Sequence, residues 1–319
     1  MRAMTVREFG APSGMELVDL PAPKPEADQV VIRTDAMGIG GVDAVIRRGT
    51  LGGGYPSGMI LGSEVAGTIV EVGADVDQSR IGQRVWAFTG TSGGYAELAV
   101  AHIGDAVALP DGIPSTDAVA LGSAATVAHF ALAHAHAGRG DRVLVRGAAG
   151  SIGIAAIELT IQLGAATVAV TTSSPDRGRR LQQFGATHVL DRAGHGDAAA
   201  PTEFDVIVDI AGGPAVPDFI DRLAPNGRMV LVGAVSGFPP ADFGMRLMQS
   251  FQKSRSVATF SLASIDPGER DMARFASFEA AVRGDLHPVI DAVMPLGEAA
   301  TAHQRMDDGD VFGRIVLIP

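Results

Sequence analysis

The chain has 319 residues, which is more than one domain usually contains, so we expect two domains that share a substantial apolar core. It contains no cysteine, which excludes disulfides, thiolate nucleophiles and cysteine-ligated zinc. The net charge of −11 disfavours binding to nucleic acid or anionic membranes, so small molecules or a second copy of the chain are the expected partners.

The first 120 residues predict short β-strands separated by Gly and Pro, which is typical of a β-rich domain. These strands are expected at residues 29–34, 66–72, 84–88 and 95–100. The N-terminal residues 1–10 lack the apolar segment of a signal peptide, and no run of about 18 apolar residues occurs anywhere. A cytoplasmic location is therefore predicted.

A helix is expected over the alanine-rich residues 117–137, and from residue 141 onward strands alternate with helices. This alternation indicates a doubly wound parallel sheet, hence an α/β fold class. The strands of that sheet are expected at residues 143–145, 167–171, 188–190, 206–210, 228–233 and 257–262. The remaining elements are expected to be a helix over 270–283, a strand over 289–293, a helix over 297–306 and a strand over 314–318.

The turn that follows residues 143–145 has the glycine spacing of a dinucleotide-binding motif. Gly147 permits a tight turn, Gly150 lets the backbone approach a pyrophosphate, and Gly153 lets the next helix pack on the sheet. Such a turn alone is weak evidence, but a strand precedes it and a helix follows it, as the motif requires. The pyrophosphate is expected at the N-terminus of that helix, where free N–H groups favour negative charge.

The segment after residues 167–171 indicates which dinucleotide is bound. NAD enzymes place Asp or Glu about 20 residues after the glycine motif, against the ribose 2′-hydroxyl. Here the corresponding segment holds hydroxyl residues and an arginine: Thr172, Ser173, Ser174 and Arg177. Because these groups suit a 2′-phosphate, NADPH is the predicted cofactor. The next two arginines, Arg179 and Arg180, fit better on the solvated face of the following helix.

Short motifs along nearly the whole chain occur in the order of one known superfamily. They include Gly-Ser-Glu-Val-Ala-Gly at residues 62–67, Gly-Tyr-Ala-Glu at 94–97, the glycine motif at 147–153 and the closing strand at 313–319. In this order they resemble the medium-chain dehydrogenase/reductase superfamily, and specifically its zinc-free quinone oxidoreductase (zeta-crystallin-like) branch.

The resemblance implies a GroES-like β-rich catalytic domain at residues 1–120 and 257–319, with a Rossmann NADP-binding domain at 121–256. It also implies a homodimer joined through the sheets of the nucleotide-binding domains. Three basic residues would converge on the 2′-phosphate: Arg177, Arg192 and Arg314. The residues implied to hold the pyrophosphate are Ala148, Ala149, Gly150, Ser151, Ile152 and Gly153. Those implied near the nicotinamide, which are equally plausible as core residues, are Val232, Gly233, Ala234, Phe260 and Leu262.

No metal site is expected. Zinc-dependent relatives need Cys and His ligands, including a His before Glu64, where this chain has Ser63. Glu64 is therefore interpreted as a structural hydrogen-bonding residue rather than a ligand. His134 and His136 are two residues apart and face different directions on a helix, so they are interpreted as ordinary histidines.

The candidate catalytic residues are Asp43 and Tyr55. Asp43 matches a family position, but a hydrogen bond to its own loop is an equally good role for it. Tyr55 follows a glycine-rich segment that begins at Gly52, and it is a candidate proton donor or lid residue. Gly40 and Val45 replace an Asn and a Tyr that the family usually carries, so the pocket is expected to admit a bulkier or differently shaped acceptor.

These observations predict an NADPH-dependent, zinc-independent reductase that transfers hydride to a quinone or an α,β-unsaturated carbonyl compound. A first alternative is an enoyl reductase that acts on a polyketide or another natural-product intermediate. A second alternative, from another class, is a cofactor-binding structural or RNA-binding relative with little turnover. The acidic charge of the chain disfavours RNA.

Overall fold

A computed structural model describes residues 1–50 and 54–319. The strands, numbered in chain order, are β1 Arg2–Val6, β2 Met15–Asp19, β3 Gln29–Gly38, β4 Met59–Ile60, β5 Glu64–Val72, β6 Arg84–Phe88, β7 Leu98–His102, β8 Ala106–Ala108, β9 Arg142–Arg146, β10 Thr167–Thr171, β11 His188–Leu190, β12 Phe204–Asp209, β13 Leu223–Leu231, β14 Ser256–Thr259, β15 Ile290–Pro295 and β16 Arg314–Ile318. The helices are α1 Gly41–Arg48, α2 Ser115–His134, α3 Ser151–Gln162, α4 Pro175–Gln183, α5 Val216–Ile220, α6 Met245–Gln249, α7 Pro267–Arg283 and α8 Ala299–Asp307.

The chain divides into two compact units, and the first consists of Met1–Ser123 with Asp271–Pro319. Its larger sheet has the strand order β15-β16-β3-β5-β6-β8, with β7 also paired to β3. A smaller sheet has the order β2-β1-β4. The pairing is antiparallel except between β15 and β16, and β3 packs Val30 and Ile32 into the core of this unit. The predicted β-rich character of the first 120 residues is confirmed.

The second unit, Ala124–Arg270, is built on a parallel sheet with the strand order β11-β10-β9-β12-β13-β14. The chain starts at β9, adds strands on one side, and then crosses to β12 on the other side. This is the strand order of the dinucleotide-binding fold, whose ligands lie at the carboxyl ends of the strands where the order reverses. Val143, Leu144 and Val145 are fully buried, as expected of a central parallel strand. The predicted doubly wound sheet is confirmed.

The structure differs from the sequence prediction at several boundaries. The strand β14 pairs in parallel with β13, so residues 256–270 lie with the second unit, whereas the prediction returns to the first domain at residue 257. The second unit begins at Ala124 rather than at 121. The strand β7 begins at Leu98 rather than at 95, because Tyr95 bonds instead to the backbone of Leu61 and Met4. The strands β1 and β2 and the helix α1 are additional to the prediction.

The helix α2 is long and apolar enough to cross a membrane, if only its length and composition are considered. Much of it is nevertheless buried inside the protein. In the second unit, its residues Ala131 and Leu132 pack with Val143 and Val206 of the parallel sheet. We therefore interpret α2 as a core helix.

Candidate functional site

The turn between β9 and α3 forms a tight glycine-rich loop. Gly147 has a φ of +78°, a left-handed conformation that glycine adopts without strain, and its N–H donates to the hydroxyl of Thr171 over 3.1 Å. A Cβ added to Gly153 would lie 2.5 Å from Cα of Ala148, so only glycine lets α3 approach the turn this closely. Ala148 is buried, whereas Ala149, Ser151 and Ile152 are half-buried.

The start of α3 is open towards an anionic ligand. Gly150 is the N-terminal cap, and no side chain caps the helix there. The first N–H groups of a helix have no partner within the helix, and the helix dipole adds positive potential at the same end. A Cβ on Gly150 would meet no atom within 4 Å, so there is space beside the backbone. These features fit a pyrophosphate.

The segment between β10 and α4 presents the hydroxyls predicted to bind a ribose phosphate. The hydroxyl of Ser174 accepts the N–H of Arg177 over 3.3 Å and thereby caps α4, so this hydroxyl has a structural role. The Arg177 guanidinium lies 3.5 Å from the hydroxyl of Ser173. Thr172 is buried, and its hydroxyl has no hydrogen-bond partner in the part of the chain that the structure describes. Arg179 forms an ion pair with Asp176 on the exposed side of α4.

The other two predicted phosphate contacts lie in different surroundings. Arg192 is exposed on the loop after β11, in the same unit as Arg177. Arg314 lies in the first unit, where it is only 5% exposed and forms an ion pair with the buried carboxylate of Glu64. The contact of Arg314 with the 2′-phosphate stays a prediction, and in this structure its guanidinium is paired with Glu64 inside the first unit.

The residues predicted near the nicotinamide follow the carboxyl ends of β13 and β14. Val232 donates its N–H to the carbonyl of Asp209, and a Cβ on the next residue, Gly233, would lie 2.5 Å from the carbonyl oxygen of Ile210. Phe260 packs on the core of the second unit, with its ring 5.9 Å from that of His134. Val232 and Phe260 thus have core contacts, which fits the second interpretation of these residues, that they belong to the core. The other predicted members of this group are half-buried: Ala234 and Leu262.

Glu64 has the structural role that the sequence favours. Its carboxylate accepts the indole N–H of Trp86 over 3.0 Å and the backbone N–H of Ser123 over 3.2 Å, in addition to the ion pair with Arg314. On its other side, the Trp86 ring lies against the guanidinium of Arg274, which is 4.1 Å from the ring centroid. Glu64 is therefore fully engaged by donors of the protein.

Asp43 is a buried carboxylate near the N-terminus of α1. Its Oδ2 accepts the N–H of Gly40 over 2.7 Å and the hydroxyl of Tyr95 over 3.0 Å. Burial raises the pKa of Asp43 to about 6, although the Gly40 N–H, the Arg314 charge and the hydroxyls of Tyr95 and Ser63 each lower it. A carboxyl with such a pKa exchanges a proton near neutral pH. A structural bond to its own loop and a chemical role are both compatible with this geometry.

Behind Asp43 lies a chain of buried polar groups that the sequence analysis does not predict. The Tyr95 hydroxyl lies 3.2 Å from Nε2 of His303, and Nδ1 of His303 accepts Nε–H of Arg47 over 3.2 Å. Arg47 in turn forms a 2.6 Å ion pair with Asp307. Burial and the charge of Arg47 lower the pKa of His303 to about 3, so its imidazole is neutral. Burial raises the pKa of Tyr95 well above its usual value.

Tyr55 is half-buried and packs against the apolar core of the first unit. The preceding residues 51–53, which include Gly52 of the predicted glycine-rich loop, lie outside the described residues. The role of Tyr55 as a proton donor or lid residue stays a prediction.

Two family models match the chain. The first, described as an alcohol dehydrogenase GroES-like domain, matches residues 26–111, and the second, described as a zinc-binding dehydrogenase, matches residues 184–317. Zinc does not fit the donors present. The sequence has no cysteine, and within residues 1–50 and 54–319 no three His, Asp or Glu side chains come together in a metal-binding group.

Individual relatives align with the whole chain. A quinone oxidoreductase of Rattus norvegicus is 31% identical and covers 100% of this chain and 98% of its own. An acryloyl-coenzyme A reductase of Sulfurisphaera tokodaii is 26% identical over the full length of both chains. A mycobacterial protein solved in complex with NADPH is 28% identical, covers all of both chains and superposes with a TM-score of 0.90. The chain belongs to the quinone oxidoreductase family of the medium-chain dehydrogenase/reductase superfamily.

Proposed function

We propose that the protein is an NADPH-dependent reductase of quinones or α,β-unsaturated carbonyl compounds that works without zinc. The observation that carries this proposal is the uncapped N-terminus of α3 beside Gly150, followed by the hydroxyls and guanidinium of the segment from Thr172 to Arg177. The mycobacterial relative solved with NADPH supports the choice of cofactor. NADPH supplies a hydride, which passes to an electron-poor carbon of the acceptor.

The residues of the second unit bind and orient the cofactor in this proposal. N–H groups at the start of α3 hold the pyrophosphate, since a helix N-terminus favours negative charge. Ser173 and Arg177 bind the 2′-phosphate, and the exposed Arg192 adds positive charge in the same unit. The residues from Val232 to Ala234, with Phe260 and Leu262, form the apolar surroundings of the nicotinamide.

The reduced acceptor also needs a proton on its carbonyl oxygen, and we assign its supply to Asp43. Reduction adds two electrons and one proton as hydride to carbon, and the anion that remains on oxygen takes a second proton. Asp43 is buried and has a pKa of about 6, so a fraction of it is protonated at neutral pH. The proton that Asp43 loses is restored from solvent.

A spectrophotometric assay tests the reaction class. NADPH absorbance is followed after addition of 1,2-naphthoquinone, a 2-alkenal or an enoyl thioester, each in a separate reaction. Consumption of NADPH with one of these acceptors supports the proposal. Tight binding of NADPH without turnover of any acceptor would favour the alternative of a cofactor-binding protein.

The cofactor preference is tested by Arg177→Ala. Loss of a charged hydrogen bond to the 2′-phosphate should weaken NADPH at least about tenfold, whereas NADH binding should not change. Dissociation constants for both cofactors, measured by quenching or calorimetry, check this result. Arg179→Ala is the matched control, because Arg179 lies on the same helix but is paired with Asp176. Equal losses for NADPH and NADH in Arg177→Ala would contradict the assignment.

An enoyl thioester is the second candidate acceptor. The 26% identical acryloyl-coenzyme A reductase supports it, as does the absence of polar side chains at Gly40 and Val45. A kcat/KM for an enoyl thioester well above that for every quinone and alkenal tested would favour this candidate.

We further propose that two copies of the chain associate through the second unit. The segment from Val235 to Phe251 exposes large apolar side chains next in sequence to β14, which pairs with β13. The exposed side chains are Val235, Phe238, Met245, Met248 and Phe251. An apolar surface of this kind marks an interaction site. A cytoplasmic location for this homodimer remains a prediction from composition.

A further inference from the structure

The hydrogen bonds behind Asp43 all have a defined direction. An arginine guanidinium keeps its protons under physiological conditions, so Nε of Arg47 can only donate to Nδ1 of His303. A neutral imidazole that accepts at Nδ1 carries its hydrogen on Nε2. The tautomer of His303 is therefore set by Arg47, which Asp307 holds in place through two hydrogen bonds of 2.7 and 2.6 Å.

The next two hydrogen bonds, which lead to Asp43, are donated in the same direction. Nε2–H of His303 faces the oxygen of Tyr95, 3.2 Å away, and the single proton of the Tyr95 hydroxyl points to Oδ2 of Asp43. Every member of the chain thus donates towards the carboxylate. The chain ends at an arginine, which does not release a proton, so it polarises Asp43 but does not deliver protons to it.

The two oxygens of Asp43 are not equivalent. Oδ2 accepts both the Gly40 N–H and the Tyr95 hydroxyl, whereas Oδ1 accepts no hydrogen bond of good geometry within residues 1–50 and 54–319, although the Ser63 hydroxyl is close enough to the carboxylate to lower its pKa. A proton on Oδ2 would face two donors, so protonated Asp43 carries its hydrogen on Oδ1. The charged or polar groups that face Asp43 from the elements around it are Arg314 of β16, Tyr95, Ser63 and the Gly40 N–H.

We propose that Tyr95 and His303 are positioning residues that keep the exchangeable proton of Asp43 on Oδ1 and determine how tightly it is held. His303 acts at a distance, from α8, because it orients the Tyr95 hydroxyl towards Oδ2. The functional use of this proton rests on the proposed reductase activity. The arrangement of Asp43, Tyr95 and His303 does not depend on that activity, so it can be tested without turnover.

The test is an infrared pH titration of the full-length protein. The carbonyl band of protonated Asp43 is identified as the band that disappears in Asp43→Asn, and its intensity is followed against pH. In Tyr95→Phe the carboxylate loses one donor, so the midpoint should rise by about one pH unit. In His303→Phe the Tyr95 hydroxyl loses the group that polarises it, so we expect a smaller rise. His303→Gln, which retains an N–H donor, should restore the wild-type midpoint at least in part.

Asp308→Asn is the matched control, because Asp308 is an exposed carboxylate beside α8 that bonds to Gln304 rather than to the chain. In this variant, the midpoint of the Asp43 carbonyl band should equal that of the wild type. Circular dichroism verifies that each variant is folded, and His303→Phe carries the test if Tyr95→Phe does not fold. An unchanged midpoint in a folded Tyr95→Phe or His303→Phe would overturn the proposal, as would the absence of any band that depends on Asp43.

A kinetic measurement separates this inference from the proposed function. If the protein reduces an acceptor, the pH above which kcat falls should move upward together with the infrared midpoint in Tyr95→Phe. If no acceptor is reduced but the infrared midpoints move as expected, the proposed function fails and the positioning role stands.

Discussion

At the scale of single residues, the buried carboxylate of Asp43 makes stability depend on pH. The folded protein binds a proton at Asp43 more tightly than the unfolded chain does, because its pKa is raised from 3.8 to about 6. Its contribution to stability is therefore fully present below pH 3.8 and is lost as the pH rises through about 6. Above that pH, the buried negative charge opposes folding.

Asp43→Asn should consequently raise the free energy of unfolding at pH 8, by at most about 3 kcal/mol. The amide retains an oxygen acceptor for Gly40 and Tyr95 but carries no charge. The gain should shrink as the pH falls towards 4, which urea denaturation at several pH values can measure. The exposed Asp19→Asn is the control and should change stability little at any pH. A gain that does not depend on pH would contradict the assigned pKa.

His303 has the opposite pH dependence. Its pKa is lowered from 6.5 to about 3, so the folded protein loses stability as the pH falls from 6.5 towards 3 and the unfolded chain takes up the proton. The contributions of Asp43 and His303 therefore oppose each other over the shared range. This opposition is a reason to compare single variants with the wild type when pH effects are assigned.

At the scale of elements, the junction of β9 and α3 contains two glycines with different tasks. A methyl group on Gly153 would collide with the backbone of Ala148, whereas a methyl group on Gly150 would enter open space. Gly153 permits close packing of the helix, and Gly150 leaves room for the proposed pyrophosphate. Alanine substitutions can therefore separate folding from binding at this turn.

We expect Gly153→Ala to destabilise the protein by about 1–3 kcal/mol, because the backbone of Ala148 cannot move aside without distorting the turn. Gly150→Ala should cost less than about 1 kcal/mol, but its methyl group should weaken NADPH binding at least about tenfold. Thermal unfolding and NADPH titration measure the two effects. If Gly150→Ala bound NADPH as tightly as the wild type, the pyrophosphate would not lie against this residue.

The elements also show how far sequence reasoning extends. The parallel sheet could be predicted, because buried parallel strands are short apolar runs and each is followed by a turn and a helix. The helix α1 was not predicted, since its eight residues are preceded by glycines and span only about two turns, too few for a helical period to be recognised. The assignment of β14 to the second unit depends on its pairing with β13, which a single strand pattern does not reveal.

The polar chain behind Asp43 was beyond sequence reasoning for a different reason. Tyr95 and His303 are 208 positions apart in the sequence, and Arg47 and His303 are 256 apart. No local pattern links such residues, so only the folded structure brings them together. The ion pair between Arg314 and Glu64 was missed for the same reason, because the two residues are 250 positions apart. The proposed cofactor residues were easier to identify, because they follow consecutive strands of one sheet.

At the scale of the whole molecule, the apolar surface of the segment 235–251 predicts the oligomeric state. Light scattering or sedimentation of the wild type should give a mass twice that of one chain. The double variant Met248→Glu/Phe251→Glu should be monomeric, because it places charges where side chains 66% and 68% exposed in the single chain would be buried. Met272→Glu, at an equally exposed methionine of α7, should remain dimeric. A monomeric wild type at micromolar concentration would contradict the proposal.

Trp86 is the one tryptophan of the sequence, and it belongs to the first unit. Its indole N–H is bound to Glu64 and its ring lies against Arg274, so its fluorescence should change when those contacts are lost. Emission at tryptophan wavelengths is consequently an unlabelled optical signal for one half of the molecule, whereas circular dichroism averages over both. A comparison of the two signals during denaturation can show whether the halves unfold together or in succession.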